Sequence, residues 1–160
     1  MMRVAVLGAG SLGTVIGAML TQNGVDVVLI DGYKAHVEAL QTNGATIVGK
    51  MELQIPVMAC DLEHITGIFD IVLYLGKAPN NAEYLPAILP HLHKDSVVCT
   101  LQNGIPEQKV AKYVGRDRTV GGTVGWGASL RAPGITEMTS DPHRQTYELG
   151  ELDGRITPRI

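Results

Sequence analysis

Arg3-Val4-Ala5-Val6-Leu7-Gly8-Ala9-Gly10-Ser11-Leu12-Gly13, near the start of the chain, is the stretch whose reading decides the fold. Its first five residues form a short, apolar, partly β-branched run that stops at glycine, as expected of a strand buried on both faces in a parallel sheet. Gly8, Gly10 and Gly13 follow in G-x-G-x-x-G spacing. Beyond them Leu12, Val15, Ile16, Met19 and Leu20 recur at helical intervals until Asn23-Gly24 ends the pattern. Val25 to Ile30 then reads as a second strand ending at Asp31, and Ala35 to Leu40 as a helix closing near Asn43-Gly44. The unit is βαβ.

In a chain with 19 glycines the spacing alone is weak, but its place between strand and helix gives each glycine a task. Gly8 makes the tight turn, Gly10 lets a pyrophosphate approach the backbone, and Gly13 lets helix and strand pack closely. An anion there would meet the unpaired N–H groups and the positive end of the helix. The turn Gly8, Ala9, Gly10, Ser11, Leu12, Gly13 is therefore a candidate dinucleotide site, with Asp31 as its partner. A carboxylate at Asp31 can accept both hydroxyls of an adenosine ribose, which favours NAD(H). A 2′-phosphate would be repelled by about 4 kcal/mol per unit-charge pair at roughly 4 Å and an effective dielectric of about 20. Lys34 is near enough in sequence to offset that repulsion, and Asp31 can also be the N-cap of a helix starting near Tyr33.

Composition narrows the field. With 160 residues, 45% apolar, the chain is long enough for one globular domain with a real core. Thirteen Lys+Arg against sixteen Asp+Glu, with no basic run, argue against nucleic acid as a partner. Met1-Met2-Arg3 before an apolar stretch could be taken for a secretory leader, but Gly8, Gly10, Gly13 and Gly17 interrupt it. No run reaches the roughly 18–20 apolar residues of a membrane span. Cys60 and Cys99 lack C-x-x-C spacing, so neither a disulfide nor zinc is indicated, and a cytoplasmic protein is expected.

Further along, Ala45–Val48 and Leu53–Ile55 read as a hairpin or β-excursion, and Asp70–Leu75 and Ser96–Leu101 as strands. Between those two strands lies a helix through Tyr84, Leu85, Ile88, Leu89 and Leu92, which Pro86 and Pro90 should kink or restart. Pro106 to Val114 reads as another helix. Thr119–Thr123, Gly134–Thr139 and Gln145–Leu149 read as short strands extending the sheet, and a polar, turn-rich tail follows from Gly150. His91-Leu92-His93 has H-x-H spacing, but on a helix the two rings diverge, so no metal site is expected. Trp126, among glycines, is expected to pack rather than to line a cleft. In open α/β sheets ligands bind beyond the carboxyl ends of strands, which singles out Lys77 and Asn103.

Taken in order, the glycine turn, Lys77 in Leu75-Gly76-Lys77-Ala78, the Leu101-Gln102-Asn103-Gly104-Ile105 block, and Gly121-Gly122-Thr123 to Gly127-Ala128 with Pro133-Gly134 resemble the amino-terminal half of the ketopantoate reductase family. The resemblance implies a Rossmann-like, doubly wound, mainly parallel α/β sheet with extra strands near the carboxyl end. It implies NADP(H) as cofactor, held by the glycine turn, Lys77, Asn103 and Ala128, and reduction of the small 2-oxo acid 2-dehydropantoate to pantoate in pantothenate biosynthesis. It also implies that the catalytic lysine and glutamate lie beyond Ile160, in a helical carboxy-terminal domain. On that reading residues 1–150 are the dinucleotide-binding domain, 151–160 begin a linker, the sequence is a fragment inactive by itself, and the low charged fraction reflects a face covered by the missing half. A homodimer is a further option. One departure stands out, for Asp31-Gly32-Tyr33-Lys34 occupies the place of the family's basic residue for the 2′-phosphate. The alternatives are a non-catalytic dinucleotide-binding module, or another two-domain 2-oxo-acid or 3-hydroxyacid dehydrogenase.

Overall fold

The computed structural model describes residues 2–160. The βαβ opening forms as read: β1 (Arg3–Leu7), α1 (Ser11–Gln22), β2 (Asp26–Ile30), then α2 (Lys34–Asn43) stopped by Gly44 at positive φ. The chain continues through β3 (Ala45–Gly49), β4 (Leu53–Ile55), β5 (Met58–Cys60), β6 (Phe69–Tyr74), α3 (Asn81–Ile88), β7 (Leu92–Thr100) and α4 (Glu107–Val114). It closes with β8 (Thr119–Val124), β9 (Ala128–Ala132), β10 (Ile135–Met138) and β11 (Tyr147–Glu151). Seven strands make the main sheet in the order β11-β8-β7-β6-β1-β2-β5, parallel throughout except for β11, which runs antiparallel to β8. The strand order reverses around β1. That is the switch point at which α/β sheets leave a crevice.

Two apolar clusters cover the two faces of this sheet. Leu7, Ile30, Phe69, Val72 and Tyr74 pack with Tyr84, Leu85, Ile88 and Val110 of α3 and α4 on one side. On the other, Val4, Val6, Leu29 and Cys99 pack with Val15, Ile16 and Ala18 of α1, together with Ile47 and Met138 from a second sheet. Alternate residues of β1 thus bury to opposite faces, the alternation a two-sided strand requires.

The structure corrects several expectations. Only β8 and β11 of the three late strands extend the main sheet. β10 instead pairs parallel with β3 and antiparallel with β9, giving a separate four-stranded sheet, β4-β3-β10-β9. The β3–β4 hairpin has an open edge, and β10 satisfies it. Strands β5 and β9 carry no strong β-branched alternation, so the sequence pattern does not reveal them. Pro86 is accommodated inside α3, while Pro90 turns the chain through a 3₁₀ turn, Leu89–His91, directly into β7. His93 therefore lies on a strand and not on a helix: His91 Nδ1 bonds the Gly67 carbonyl at 2.8 Å and His93 Nε2 bonds Asp70 at 3.1 Å. Strand β11 runs to Glu151, past residue 150. Thr157 and Arg159 of the following tail fold back onto the Glu151 carboxylate. Trp126 packs, as expected, edge-on to Tyr147 within the core. Among the described residues no helix is long and apolar enough to cross a membrane.

Candidate functional site

The glycine turn is pinned from below. Gly8 and Ala9 both donate their N–H groups to the Ile30 carbonyl, at 2.8 and 3.0 Å, so the turn sits on the end of β2. Gly8 has φ +89°, and a Cβ there would collide with the backbone of Leu75-Gly76; a Cβ on Gly13 would stand 2.5 Å from the Gly8 carbonyl oxygen. These two glycines serve packing. Gly10 differs, since a Cβ on it would meet nothing within 4 Å. The space above it is open.

Helix α1 makes its first internal bond from Thr14 N to Gly10 O, at 2.9 Å. The preceding N–H groups of Ser11, Leu12 and Gly13 find no acceptor among the described residues, and no acidic side chain occupies this first turn. They point the positive end of the helix into the crevice, the arrangement that binds phosphate elsewhere. Ala9 is fully buried and its carbonyl is held by two donors: Thr14 Oγ1 at 2.8 Å and His36 Nε2 at 2.7 Å. His36 Nδ1 accepts from the Gly134 N–H at 2.9 Å, which leaves the ring proton on Nε2. One buried imidazole thus ties the glycine turn, α2 and the second sheet together.

On the β2 side, Asp31, Gly32 and Tyr33 line the crevice. Asp31 Oδ1 accepts from the Tyr33 N–H at 2.9 Å, fixing the carboxylate at the strand end. Helix α2 begins at Lys34 with no side-chain cap, so the N-cap alternative for Asp31 does not form. The Tyr84 hydroxyl accepts from Gly32 N at 2.8 Å, and burial, then the nearby Asp31 charge, push that phenol's pKa upward. Glu83 also faces the crevice.

On the other side, Lys77 and Asn103 leave the ends of β6 and β7. Gln102, nearly buried, donates its amide to the Gly76 carbonyl and to Asn81 Oδ1 at 2.9 Å; the Tyr74 hydroxyl donates to the same Asn81 oxygen at 2.7 Å. This network locks the Lys77 loop to the Asn103 loop beneath the two exposed side chains. Gln102, Asn81 and Glu83 are the residues that sequence reasoning missed. Gln102 stands inside the Leu101–Ile105 block already singled out, whereas Asn81 and Glu83 carry no local signal.

Together these loops enclose a cleft of about 830 Å³, within the roughly 300–1,000 Å³ usual for cofactor sites. Gly8, Gly10, Ser11, Leu12, Gly13, Asp31, Lys77 and Asn103 all line it. Ala9 lies under the turn, and Ala128 begins β9 in the second sheet, half-buried against the core; neither lines the cleft. Free donors at a helix end, an open approach over Gly10 and a carboxylate at the end of β2 fit a dinucleotide.

Comparison with known proteins places the chain among related ones. Residues 4–154 match the family described as ketopantoate reductase PanE/ApbA. The 2-dehydropantoate 2-reductase of Pyrococcus abyssi is 34% identical over 139 residues, covering 86% of this chain and 45% of that protein. Among solved structures, a ternary complex of D-mandelate dehydrogenase with NADH and anilino(oxo)acetate superposes with a TM-score of 0.86 at 28% identity, over 94% of this chain and 48% of that one. A 2-dehydropantoate 2-reductase assigned in Enterococcus faecalis gives 0.84 at 32% identity, over 94% and 49%. The chain spans about half the length of the relatives it matches.

Proposed function

The chain belongs to the PanE/ApbA ketopantoate reductase family, and from that premise we propose that it forms the nicotinamide-dinucleotide-binding half of a 2-oxo-acid reductase, with 2-dehydropantoate as the substrate and pantoate as the product. The observation that carries the reading is the convergence in one cleft of the unpaired Ser11, Leu12 and Gly13 N–H groups, Asp31, Lys77 and Asn103. When bound, the cofactor supplies the hydride that reduces a ketone carbon.

The chain's own residues bind and orient. The α1 N-terminus holds the pyrophosphate through main-chain N–H groups, and Asp31 accepts the hydroxyls of the adenosine ribose. Lys77 and Asn103, braced from below by Gln102, position the nicotinamide ribose and the substrate over the ends of β6 and β7. The proton that must reach the ketone oxygen comes, on this reading, from the lysine of the carboxy-terminal half that the family's longer members carry. The dinucleotide domain runs to the end of β11 at Glu151, one residue past the 1–150 boundary expected from sequence, and the tail beyond it leads toward that half.

A second reading has its own observation, for D-mandelate dehydrogenase superposes as well as the 2-dehydropantoate 2-reductases do. A different 2-oxo acid is thus the runner-up substrate. Titration of the protein with the reduced dinucleotide, followed by nicotinamide fluorescence, tests the cleft, and saturable binding is expected. Loss of nicotinamide absorbance on adding 2-dehydropantoate or phenylglyoxylate separates the substrates. Binding with no turnover of any 2-oxo acid by the family-length protein would favour a non-catalytic module.

A further inference from the structure

The chemistry of the crevice wall at the adenosine end extends the proposed function and rests on it. Among the described residues the only cation lining the cleft is Lys77, beyond the end of β6 and on the far side of the glycine turn from β2. At the β2 end the lining residues are Asp31, Gly32, Tyr33, Glu83 and Tyr84. Two of these are carboxylates on different elements, one ending β2 and one in the first turn of α3. One contact ties the two elements together, since the Tyr84 hydroxyl accepts from the Gly32 N–H and thereby docks α3 against the β2 loop. A Cβ on Gly32 would stand 2.9 Å from that hydroxyl, so the close approach depends on glycine.

Lys34 is the cation that could have neutralised a 2′-phosphate here. It does not line the cleft, and its ammonium stands 4.0 Å from Glu63, both groups being exposed. Such a pair is weak and does not immobilise the lysine. Even with Lys34 swung inward, the cleft lining holds Asp31 and Glu83 against one ammonium. A dianionic 2′-phosphate would meet net negative charge, whereas a ribose diol would meet acceptors.

We infer that this protein selects NAD(H) over NADP(H), and that Glu83 acts with Asp31 as a specificity-determining residue by presenting a paired acidic wall to the adenosine 2′ position. This departs from the NADP(H) expectation that the family resemblance carries. The pairing was hidden in the sequence, because Glu83 lies 52 positions from Asp31 and the packing of α3 on the sheet, with the Gly32–Tyr84 contact, brings them to one wall.

Parallel titrations of the protein with NADH and NADPH provide the test. NADH is expected to bind at least about tenfold more tightly at low salt, and the ratio should shrink as ionic strength rises. In the Asp31→Asn, Glu83→Gln double variant the ratio should fall to within about threefold, and Glu83→Gln alone should lower it measurably. Equal or tighter binding of NADPH by the parent protein would overturn the selectivity while leaving the dinucleotide site standing. A parent ratio untouched by Glu83→Gln would remove Glu83 from the proposal. Failure of both dinucleotides to bind would bring down the proposed function, and this inference with it.

Discussion

Glycines of the same motif do different work, and substitution separates them. Gly10→Val should weaken dinucleotide binding by at least about tenfold, because the new side chain enters the open space above the turn. Its cost in stability should stay within about 1 kcal/mol, the difference expected between glycine and a β-branched residue at an N-cap. Gly8→Ala should cost about 2–5 kcal/mol, since positive φ and a backbone collision both oppose a Cβ there. Urea denaturation beside a fluorescence titration distinguishes the two; a folded, tight-binding Gly10→Val protein would remove the pyrophosphate from this turn. His36→Ala strips the acceptor from a buried N–H of Gly134 and one donor from the Ala9 carbonyl. A loss of about 2–4 kcal/mol is expected, with weaker NADH binding as the turn loosens, measured in the same two assays. The thiols of Cys60 and Cys99 are both pushed up by burial to about 11, so they stay protonated at neutral pH.

At the scale of elements, α1 is seated by close approach to the sheet. Gly17 lies against Leu29 of β2, where a Cβ would stand 2.6 Å from a Leu29 methyl. That contact and the Gly13–Gly8 contact let the helix point its first turn at the strand ends. Strand β11 and its tail are coupled by charge. Arg159, followed by Thr157, hydrogen-bonds the Glu151 carboxylate and lowers its pKa from 4.5 to about 2. The folded value is depressed, so the tail's attachment is fully present above pH 4.5 and is lost as pH falls toward 2. NMR signals of the Arg159 guanidinium should therefore shift across that window. Glu151→Gln should abolish the shift, and an unchanged titration in that variant would place the acid transition elsewhere.

For the molecule as a whole, the second sheet matters as much as the first. Helix α1 lies between them, packed on β2 from one side and against β3, β9 and β10 from the other. A helix held on both sides cannot tilt, so its N-terminal donors are fixed before any ligand arrives, which lowers the ordering cost of binding. NADH at about a hundred times its Kd should then stabilise the folded chain by about 2.7 kcal/mol. Differential scanning calorimetry should show that rise in the parent and, at the same NADH concentration, no more than about 1.4 kcal/mol in Gly10→Val if binding there is at least about tenfold weaker; equal shifts in both would point to binding outside the cleft.

What could be read from the sequence were features carried by neighbours in the chain. The period of Leu12, Val15, Ile16 and Met19, the stop at Asn23-Gly24, the spacing of Gly8, Gly10 and Gly13, and the polar residues after apolar runs predicted the βαβ unit and placed Asp31, Lys77 and Asn103 in one cleft. Local steric and hydrophobic preferences suffice for that much. Tertiary structure alone decided which strand edges met, so that β10 joined β3 instead of the main sheet, His36 reached Gly134, and Glu83 came to face the crevice with Asp31. Strand pairing and side-chain networks join residues far apart in sequence, and their energies depend on which groups the completed fold leaves unsatisfied.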